Sequence, residues 1–117
     1  MSKSNVDKIF RAFADETRLR ILHLLKRRGE LCVCELIDVL RMGQSKVSRH
    51  LAYLKKAGLV TDRKDGLWSY YSLAEAQGRF HSRLIGCLDE CFGEVSILRR
   101  DAAALSRRAP ARNPRRK

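Results

Sequence analysis

Hydrophobic residues recur at helical spacing through the first half of the chain, and polar residues divide them into short segments. Residues 5–14 place Val6, Ile9, Phe10 and Phe13 at spacings of three and four. This spacing puts the four side chains on one face, so it predicts an amphipathic first helix.

Turn and capping residues mark the next three helices. Asp15 is a suitable N-cap and Gly29 a suitable C-cap for a second helix. A third helix is predicted over residues 31–40, and a tight turn at residues 41–43 separates it from a fourth helix that Ser45 can cap. Two short helices joined by a tight turn form a helix-turn-helix pattern.

The hydrophobic period changes after Gly58. Residues 59–64 and 67–73 are rich in residues that favour strands, and Asp65–Gly66 between them predicts a two-residue hairpin turn. The expected fold class is therefore mainly α with a small β-hairpin, in the winged helix-turn-helix arrangement. A long apolar stripe over residues 75–107 predicts a terminal amphipathic helix that has no obvious partner within the chain. We expect the protein to form a homodimer through its terminal helices.

The charge is strongly positive and unevenly distributed. The 117 residues include 25 Lys and Arg against 13 Asp and Glu, which gives a net charge of +12. This charge is typical of a protein that binds nucleic acid. We expect residues 1–106 to form one DNA-binding and dimerisation domain, and residues 107–117 to form a basic, disordered tail. No apolar run approaches the roughly 18 residues that span a bilayer, so no membrane contact and a cytoplasmic location are expected.

The fourth helix has one apolar side and one basic side. Val47, Leu51 and Leu54 are spaced as a buried stripe, and residues 41–56 contain no acid. A helix of this kind fits the major groove of double-stranded DNA. Candidate base-reading residues are Gln44, Ser45, Ser48 and Arg49. Candidate phosphate contacts are Lys46, Lys55, Lys56, Arg63 and Lys64, with His50 as a structural or phosphate-contacting histidine.

Four separate blocks of sequence resemble one family of regulators. ADETRLRILHLL, ELCVCEL, SKVSRHLAYLKKAGLV and DGLWSYYSL are similar, in order and spacing, to blocks of the ArsR/SmtB family of metal-sensing repressors. ELCVCEL resembles the arsenic-responsive members. The resemblance implies a homodimeric repressor that binds an inverted-repeat operator and releases it when As(III) or Sb(III) binds as inducer. It implies no organic cofactor.

Cys32 and Cys34 are the first candidate ligands for such an ion. Thiolates are soft ligands and favour thiophilic ions. On a regular helix, two side chains that are two residues apart point about 200° away from each other around the axis. The two sulfurs therefore cannot bind one ion if both residues are helical. Either Cys32 precedes the helix, or binding unwinds the first helical turn and tilts the recognition helix.

A third sulfur is missing from this stretch. Relatives often carry a third cysteine three residues after the second, and Ile37 occupies that position. Cys87 and Cys91 are spaced i, i+4, which predicts one helix face. They could form a second or substitute site, could supply one ligand to Cys32 and Cys34, or could simply pack in the dimer seam.

The same residues are compatible with other functions. A cysteine-based redox sensor, a Zn(II) or Cd(II) sensor on the same scaffold and a non-switching architectural DNA-binding protein are alternatives. The sequence contains no Gly-rich phosphate loop, no G-x-S-x-G and no H-E-x-x-H, so we do not expect an enzyme.

Overall fold

The computed structural model describes residues 3–90 and 94–108. These residues form helices and a three-stranded antiparallel sheet in the order β1–β3–β2. The elements are α1 (Lys3–Phe13), α2 (Glu16–Arg28), β1 (Glu30–Cys32), α3 (Val33–Leu40), α4 (Gln44–Lys56), β2 (Val60–Asp65), β3 (Trp68–Leu73), α5 (Arg79–Glu90) and α6 (Ser96–Ser106). The winged helix-turn-helix prediction is confirmed, since α3, the turn and α4 precede the β2–β3 hairpin.

The capping residues of α2 act as the sequence predicts. The Asp15 carboxylate accepts a hydrogen bond from the Arg18 backbone N–H at 3.0 Å. Gly29 ends the helix with φ of +95°, a conformation that favours glycine.

The start of the third helix differs from the prediction. Residues 30–32 form β1, which pairs with β3, and α3 begins only at Val33. Cys32 thus lies in a strand and is the N-cap of α3. The helical spacing of the apolar residues concealed this strand, because pairing with residues 70–72 is a long-range contact with no local signal.

The hairpin turn is shifted by one residue from its predicted place. Asp65 pairs with Trp68, so the two connecting residues are Gly66 and Leu67, not Asp65 and Gly66. Gly66 has φ of +65°, which explains a glycine at the first turn position.

The long terminal helix is two helices in the structure, and the second has an internal partner. Residues 79–90 and 96–106 are separate helices. Arg20 on α2 and Asp101 on α6 form a buried bidentate ion pair, with Nε–Oδ2 and Nη2–Oδ1 distances of 2.8 and 3.0 Å. Leu98 and Leu105 of α6 are also buried. The large hydrophobic side chains that stay exposed among the described residues are Phe10, Tyr53, Leu67 and Val95. Of these, Phe10 of α1 meets Phe80 of α5 edge to face at 5.3 Å.

A single hydrophobic core joins α2, α3, α4 and the sheet, and it includes the predicted stripe Val47, Leu51 and Leu54. Among the described residues, each helix is either too short or too polar to cross a bilayer.

Candidate functional site

The outer side of α4 is open to solvent where the sequence predicts base contacts. Gln44, Ser45, Lys46, Ser48 and Arg49 are all exposed, because Val47, Leu51 and Leu54 turn the opposite side into the core. These five residues occupy the first two turns of the helix. Their placement makes contact with base edges and phosphates geometrically possible.

The N-terminus of α4 is capped differently from the prediction. Gly43, not Ser45, is the N-cap, and it provides no side-chain hydrogen bond to the helix. Ser45 is the second residue of the helix and its side chain is exposed.

His50 lies at the boundary between the reading surface and the core. Its Nδ1 is 3.9 Å from Asp15 Oδ1. Desolvation lowers the pKa of His50 from its ordinary value of 6.5, although the Asp15 carboxylate acts in the opposite direction. The pKa of Asp15 is also lowered: its burial acts against this, and the Arg18 backbone hydrogen bond is the largest favourable cause. His50 is therefore neutral at pH 7.

Two of the predicted phosphate contacts are already paired with acids. Lys55 Nζ is 2.8 Å from Asp62 Oδ1. Arg63 donates two hydrogen bonds of 2.8 Å to Glu30, and its guanidinium lies 4.5 Å from the centre of the Tyr70 ring. Both side chains remain partly exposed, and Lys64 is exposed. Lys55 and Arg63 would have to exchange a carboxylate for a phosphate in order to contact DNA.

The sulfurs of Cys32 and Cys34 converge because Cys32 precedes the helix. Their Sγ atoms are 2.7 Å apart, and both cysteines are free thiols. Cys32 is buried whereas Cys34 is exposed. Of the two geometries that the sequence left open, the structure has the one in which Cys32 precedes the helix.

Cys32 also holds the first turn of α3 in place. Its Sγ accepts the Cys34 backbone N–H at 3.4 Å, and Glu35 accepts the Cys32 backbone N–H at 2.9 Å. This reciprocal arrangement is a capping box with cysteine in the place of serine or threonine. An ion that drew the Cys32 sulfur away from the Cys34 N–H would therefore loosen the first turn of α3.

The protonation of Cys34 follows from the same contacts. Desolvation, with the hydrogen bond to Cys32 and the charge of Cys32, raises the pKa of Cys34 to about 11. The thiol is protonated at neutral pH and is a weak nucleophile in this form. An ion that binds here must displace a proton.

Glu35 connects the thiols to distant parts of the chain. Its Oε2 is 3.4 Å from Arg28 Nη1 on α2 and 3.7 Å from Arg108 Nη1 beyond α6. Arg108 Nε also donates to Asp38 at 2.8 Å, and Arg28 donates to the Leu105 carbonyl at 3.0 Å. The thiol end of α3 is therefore tied to the C-terminal end of α6.

A cavity of about 420 Å³ lies between the thiols, helix α4 and the wing, which is the β2–β3 hairpin. Cys32 and Cys34 line one side, and Gln44 and Ser48 of α4 line another. The remaining lining residues are Val33, Ile37, Leu67, Trp68, Ser69 and Tyr71. The two thiols therefore border the same cavity as two candidate base-reading residues.

Cys87 does not line the cavity beside Cys32 and Cys34. Cys87 is a half-buried free thiol on α5, and Cys91 lies outside the described residues. Within residues 3–90 and 94–108, no three or more His, Cys, Asp or Glu side chains form a group able to hold a metal ion. The predicted tail lies largely outside the described residues too, apart from Arg107 and Arg108.

Sequence reasoning missed Glu35, Arg108 and the aromatic wall of the cavity. A signal for Glu35 was present, because a carboxylate three residues after an N-cap is the capping-box spacing. Arg108 had none, since it is 70 residues from Asp38.

Comparisons of the chain with known proteins point to one family of regulators. A family model described as bacterial regulatory protein, arsR family, matches residues 15–62. The arsenic resistance transcriptional regulator ArsR1 of Pseudomonas putida is 52% identical over 65 residues, which are 56% of this chain and 51% of that protein. A cadmium resistance regulator, a CadC homologue of Staphylococcus aureus, is 41% identical over 69 residues, or 59% of this chain and 57% of that protein. The match thus spans little more than half the length of these curated relatives.

Two solved structures resemble this chain over a larger share of their own length than these curated relatives do. HlyU of Vibrio cholerae has a TM-score of 0.68 and 34% identity, covering 79% of this chain and 98% of that one. A homodimeric winged helix-turn-helix DNA-binding domain of Mycobacterium bovis, titled a possible ArsR-family regulator, has a TM-score of 0.64 and 32% identity. That similarity covers 78% of this chain and 81% of the other.

Proposed function

This chain belongs to the ArsR family of bacterial regulatory proteins, and from that membership we propose that it is a homodimeric transcriptional repressor of an arsenical-resistance operon. It binds double-stranded operator DNA through α4 and the wing. As(III) or Sb(III) binds to the thiols of Cys32 and Cys34 and causes release. The observation that carries the proposal is the cavity whose lining includes both thiols and both Gln44 and Ser48.

The donor set supports a thiophilic ligand. Two sulfur atoms 2.7 Å apart, one of them exposed, favour soft ions over oxygen-preferring ones. Ligation withdraws the Cys32 sulfur from the Cys34 N–H and so weakens the cap of α3. Because α3 joins α4 through a turn of three residues, a frayed α3 shifts the recognition helix relative to DNA.

DNA recognition divides among the exposed residues of α4 and the wing. Gln44, Ser45, Ser48 and Arg49 read base edges, and Lys46, His50, Lys55, Arg63 and Lys64 contact the backbone. The backbone contacts make affinity strongly dependent on salt. We assign residues 1–106 to the DNA-binding and dimerisation domain and residues 107–117 to a basic tail.

A Cd(II)-responsive repressor is the second candidate, favoured by the similarity to a cadmium resistance regulator. A peroxide sensor is less well supported, since the raised pKa of Cys34 disfavours the reactive thiolate. For an architectural DNA-binding protein, removal of residues 107–117 would abolish binding, whereas for the repressor it only lowers the affinity and the salt dependence.

The test is release of labelled DNA, selected by the full-length protein from a random pool, and followed by fluorescence anisotropy. Arsenite, antimonite, Cd(II) and hydrogen peroxide are compared on the wild type, Cys34→Ser and Cys87→Ser. We expect arsenite or antimonite to release DNA from the wild type and Cys87→Ser but not from Cys34→Ser. Release by Cd(II) or peroxide alone contradicts the arsenical assignment, and release from Cys34→Ser removes these thiols from the mechanism.

A further inference from the structure

A second cavity, which we call the arginine cavity, lies between α2, the C-terminal end of α3 and α6, and shares no lining residue with the cavity beside the thiols. Its volume is about 320 Å³. Four arginines line it, namely Arg20 of α2, Arg41 at the end of α3, Arg100 of α6 and Arg107 at the end of α6. Asp101 is the one acid among its described lining residues, so the cavity carries an excess of three positive charges.

The acid in this cavity is already paired. Asp101 accepts both hydrogen bonds from Arg20, and the two side chains are buried. Arg41, Arg100 and Arg107 are exposed, and within residues 3–90 and 94–108 none of the three forms an ion pair with an acid. Three guanidinium groups around one opening repel each other and attract an anion. Because a guanidinium presents its N–H groups as a planar fork, it matches the paired oxygens of a phosphoryl group.

The backbone of Arg41 is a second and independent sign of a binding site. Its φ of +57° and ψ of +47° lie in the left-handed region, and among the described residues it is the one non-glycine residue with a positive φ. Glycine or asparagine is the usual residue in this conformation at the end of a helix. Backbone strain of this kind is concentrated at functional sites. The strained residue here is one of the arginines that line the cavity.

The rest of the lining is apolar. Val39 and Leu40 belong to the hydrophobic core, and Ile97 is half-buried. The phosphates of a DNA duplex could reach the exposed arginines, but the duplex backbone has no apolar group to place against these side chains. A small molecule with one phosphoryl group and a compact apolar body would use both parts of the lining. The volume is at the lower end of the range of about 300–1,000 Å³ that is usual for such ligands.

We therefore infer that the arginine cavity binds a small organic phosphate. The exposed arginines hold its phosphoryl group, and its apolar body packs against the core residues of α3 and the adjoining side of α6. The site is independent of the thiols and of the inducer proposed for them. It adjoins the turn of the helix-turn-helix, because Arg41 comes three residues before Gln44, the first residue of α4.

The experiment is a titration of the ¹⁵N-labelled full-length protein, followed by amide chemical shifts at constant ionic strength. The probes are phenyl phosphate, inorganic phosphate and phenol. We expect phenyl phosphate to shift the amides of residues 39–41 and 97–107 and to saturate at a concentration about tenfold lower than inorganic phosphate, since only the former buries a ring. Phenol, which has no charge for the arginines, should not saturate these shifts.

Two neighbouring arginines of α6 form a matched pair of variants. Arg99 and Arg100 are both exposed, but only Arg100 lines the cavity. Arg100→Gln should weaken phenyl phosphate binding by about tenfold through the loss of a charged hydrogen bond, whereas Arg99→Gln should bind like the wild type. Arg41→Asn removes another guanidinium at a position whose conformation asparagine tolerates, and it should weaken binding by a similar factor.

Three results would overturn the inference. Equal affinities for phenyl phosphate and inorganic phosphate would mean that the cavity holds an adventitious anion only. Equal losses in Arg99→Gln and Arg100→Gln would mean that general surface charge attracts the probe. Shifts confined to α4 and the wing would place the phosphoryl group on the DNA-binding surface. Each of these results leaves the arsenical assignment standing, because that assignment depends on Cys34→Ser and not on these arginines.

Discussion

Glu35 combines a backbone cap with two ion pairs, and its side chain is only 3% exposed. Replacing it by Ala removes the acceptor of the Cys32 N–H and leaves Arg28 and Arg108 without this carboxylate. We expect Glu35→Ala to lower the free energy of unfolding by about 2 kcal/mol, from the loss of one cap and one charged hydrogen bond. Urea denaturation measures this change.

Asp38→Asn is the control for Glu35. It removes another carboxylate that contacts Arg108, but at a side chain that is 67% exposed. Its expected effect is about 0.5 kcal/mol or less. Equal effects of the two substitutions would mean that Glu35 has no special part in holding α3.

His81 makes the stability depend on pH. The side chain is fully buried, its Nδ1 accepts the Gln77 N–H at 3.1 Å, and its Nε2 has no hydrogen-bond partner among the described residues. Burial lowers the pKa of His81 below 6.5, so the unfolded chain binds a proton at a pH where the folded chain does not. The contribution of His81 to the free energy of unfolding is therefore constant above about pH 6.5. Below this pH, the free energy of unfolding falls as the pH is lowered.

The expected loss is at most about 1.4 kcal/mol per pH unit for each such histidine. Denaturation at pH 7.5 and 5.5 should show a smaller difference for His81→Gln than for the wild type. His50→Gln is measured beside it, because desolvation also lowers the pKa of His50. If the free energy of unfolding depends on pH equally in His81→Gln and in the wild type, protonation of His81 does not destabilise the folded protein.

At the scale of elements, the pair Lys55–Asp62 connects the reading helix to the wing. Asp62→Asn frees the Lys55 ammonium for a phosphate and removes a charge that repels DNA. We expect tighter DNA binding and a steeper decrease of log affinity with log salt, by about 0.9 for one added phosphate contact. Anisotropy titrations at several salt concentrations give this slope.

Two further variants identify the cause of that change. Asp38→Asn changes the net charge by the same amount, but on α3 and not on the wing. Its slope of log affinity against log salt should stay near that of the wild type. In the double variant Asp62→Asn/Lys55→Ala, the steeper salt dependence seen in Asp62→Asn should disappear. If it persists, the higher DNA affinity comes from the loss of the Asp62 charge alone.

The elements with local signals were predictable from the sequence. The caps Asp15 and Gly29 and the stripe of α4 depend on neighbours a few residues away, and they stand where predicted. The sequence wrongly predicts helix at strand β1, because its partner β3 lies about 40 residues further along the chain. The position of Cys32 as an N-cap, and with it the convergence of the thiols, depended on that hidden pairing.

At the scale of the whole molecule, we propose that Phe10 of α1 and the neighbouring terminal helix α5 form the dimer interface. Phe10 is 52% exposed although it is a large aromatic residue in contact with Phe80. We expect Phe10→Asp to shift the dimer toward monomer in sedimentation velocity and to weaken binding to a two-site operator. The inverted-repeat operator implied by the family needs two linked readers.

Leu67→Asp provides the matched control, because it places the same charge on another exposed apolar residue at the wing turn. The dimer should persist in this variant. A dimer that survives Phe10→Asp would move the interface away from α1.

Contacts between distant segments were beyond the reach of sequence patterns. The stripe of α6 predicted a surface for a partner subunit, yet Asp101 of α6 pairs with Arg20 of α2 inside the same chain. Periodicity shows which side of a helix is apolar, but it does not show which element covers it. The charge at Asp101 was the only sign that this stripe had a polar partner.

The Cys32 sulfur is both the N-cap of α3 and a proposed ligand of the inducer. A change that improves the stability of the protein through the cap can therefore impair its response to the inducer. Serine and aspartate are better N-caps than cysteine, so Cys32→Ser and Cys32→Asp should each raise the melting temperature. Under the proposed function, both changes also remove a ligand of the inducer. Selection for heat resistance alone would then favour a more stable protein that no longer responds to the inducer, and a weaker cap at Cys32 would preserve the response.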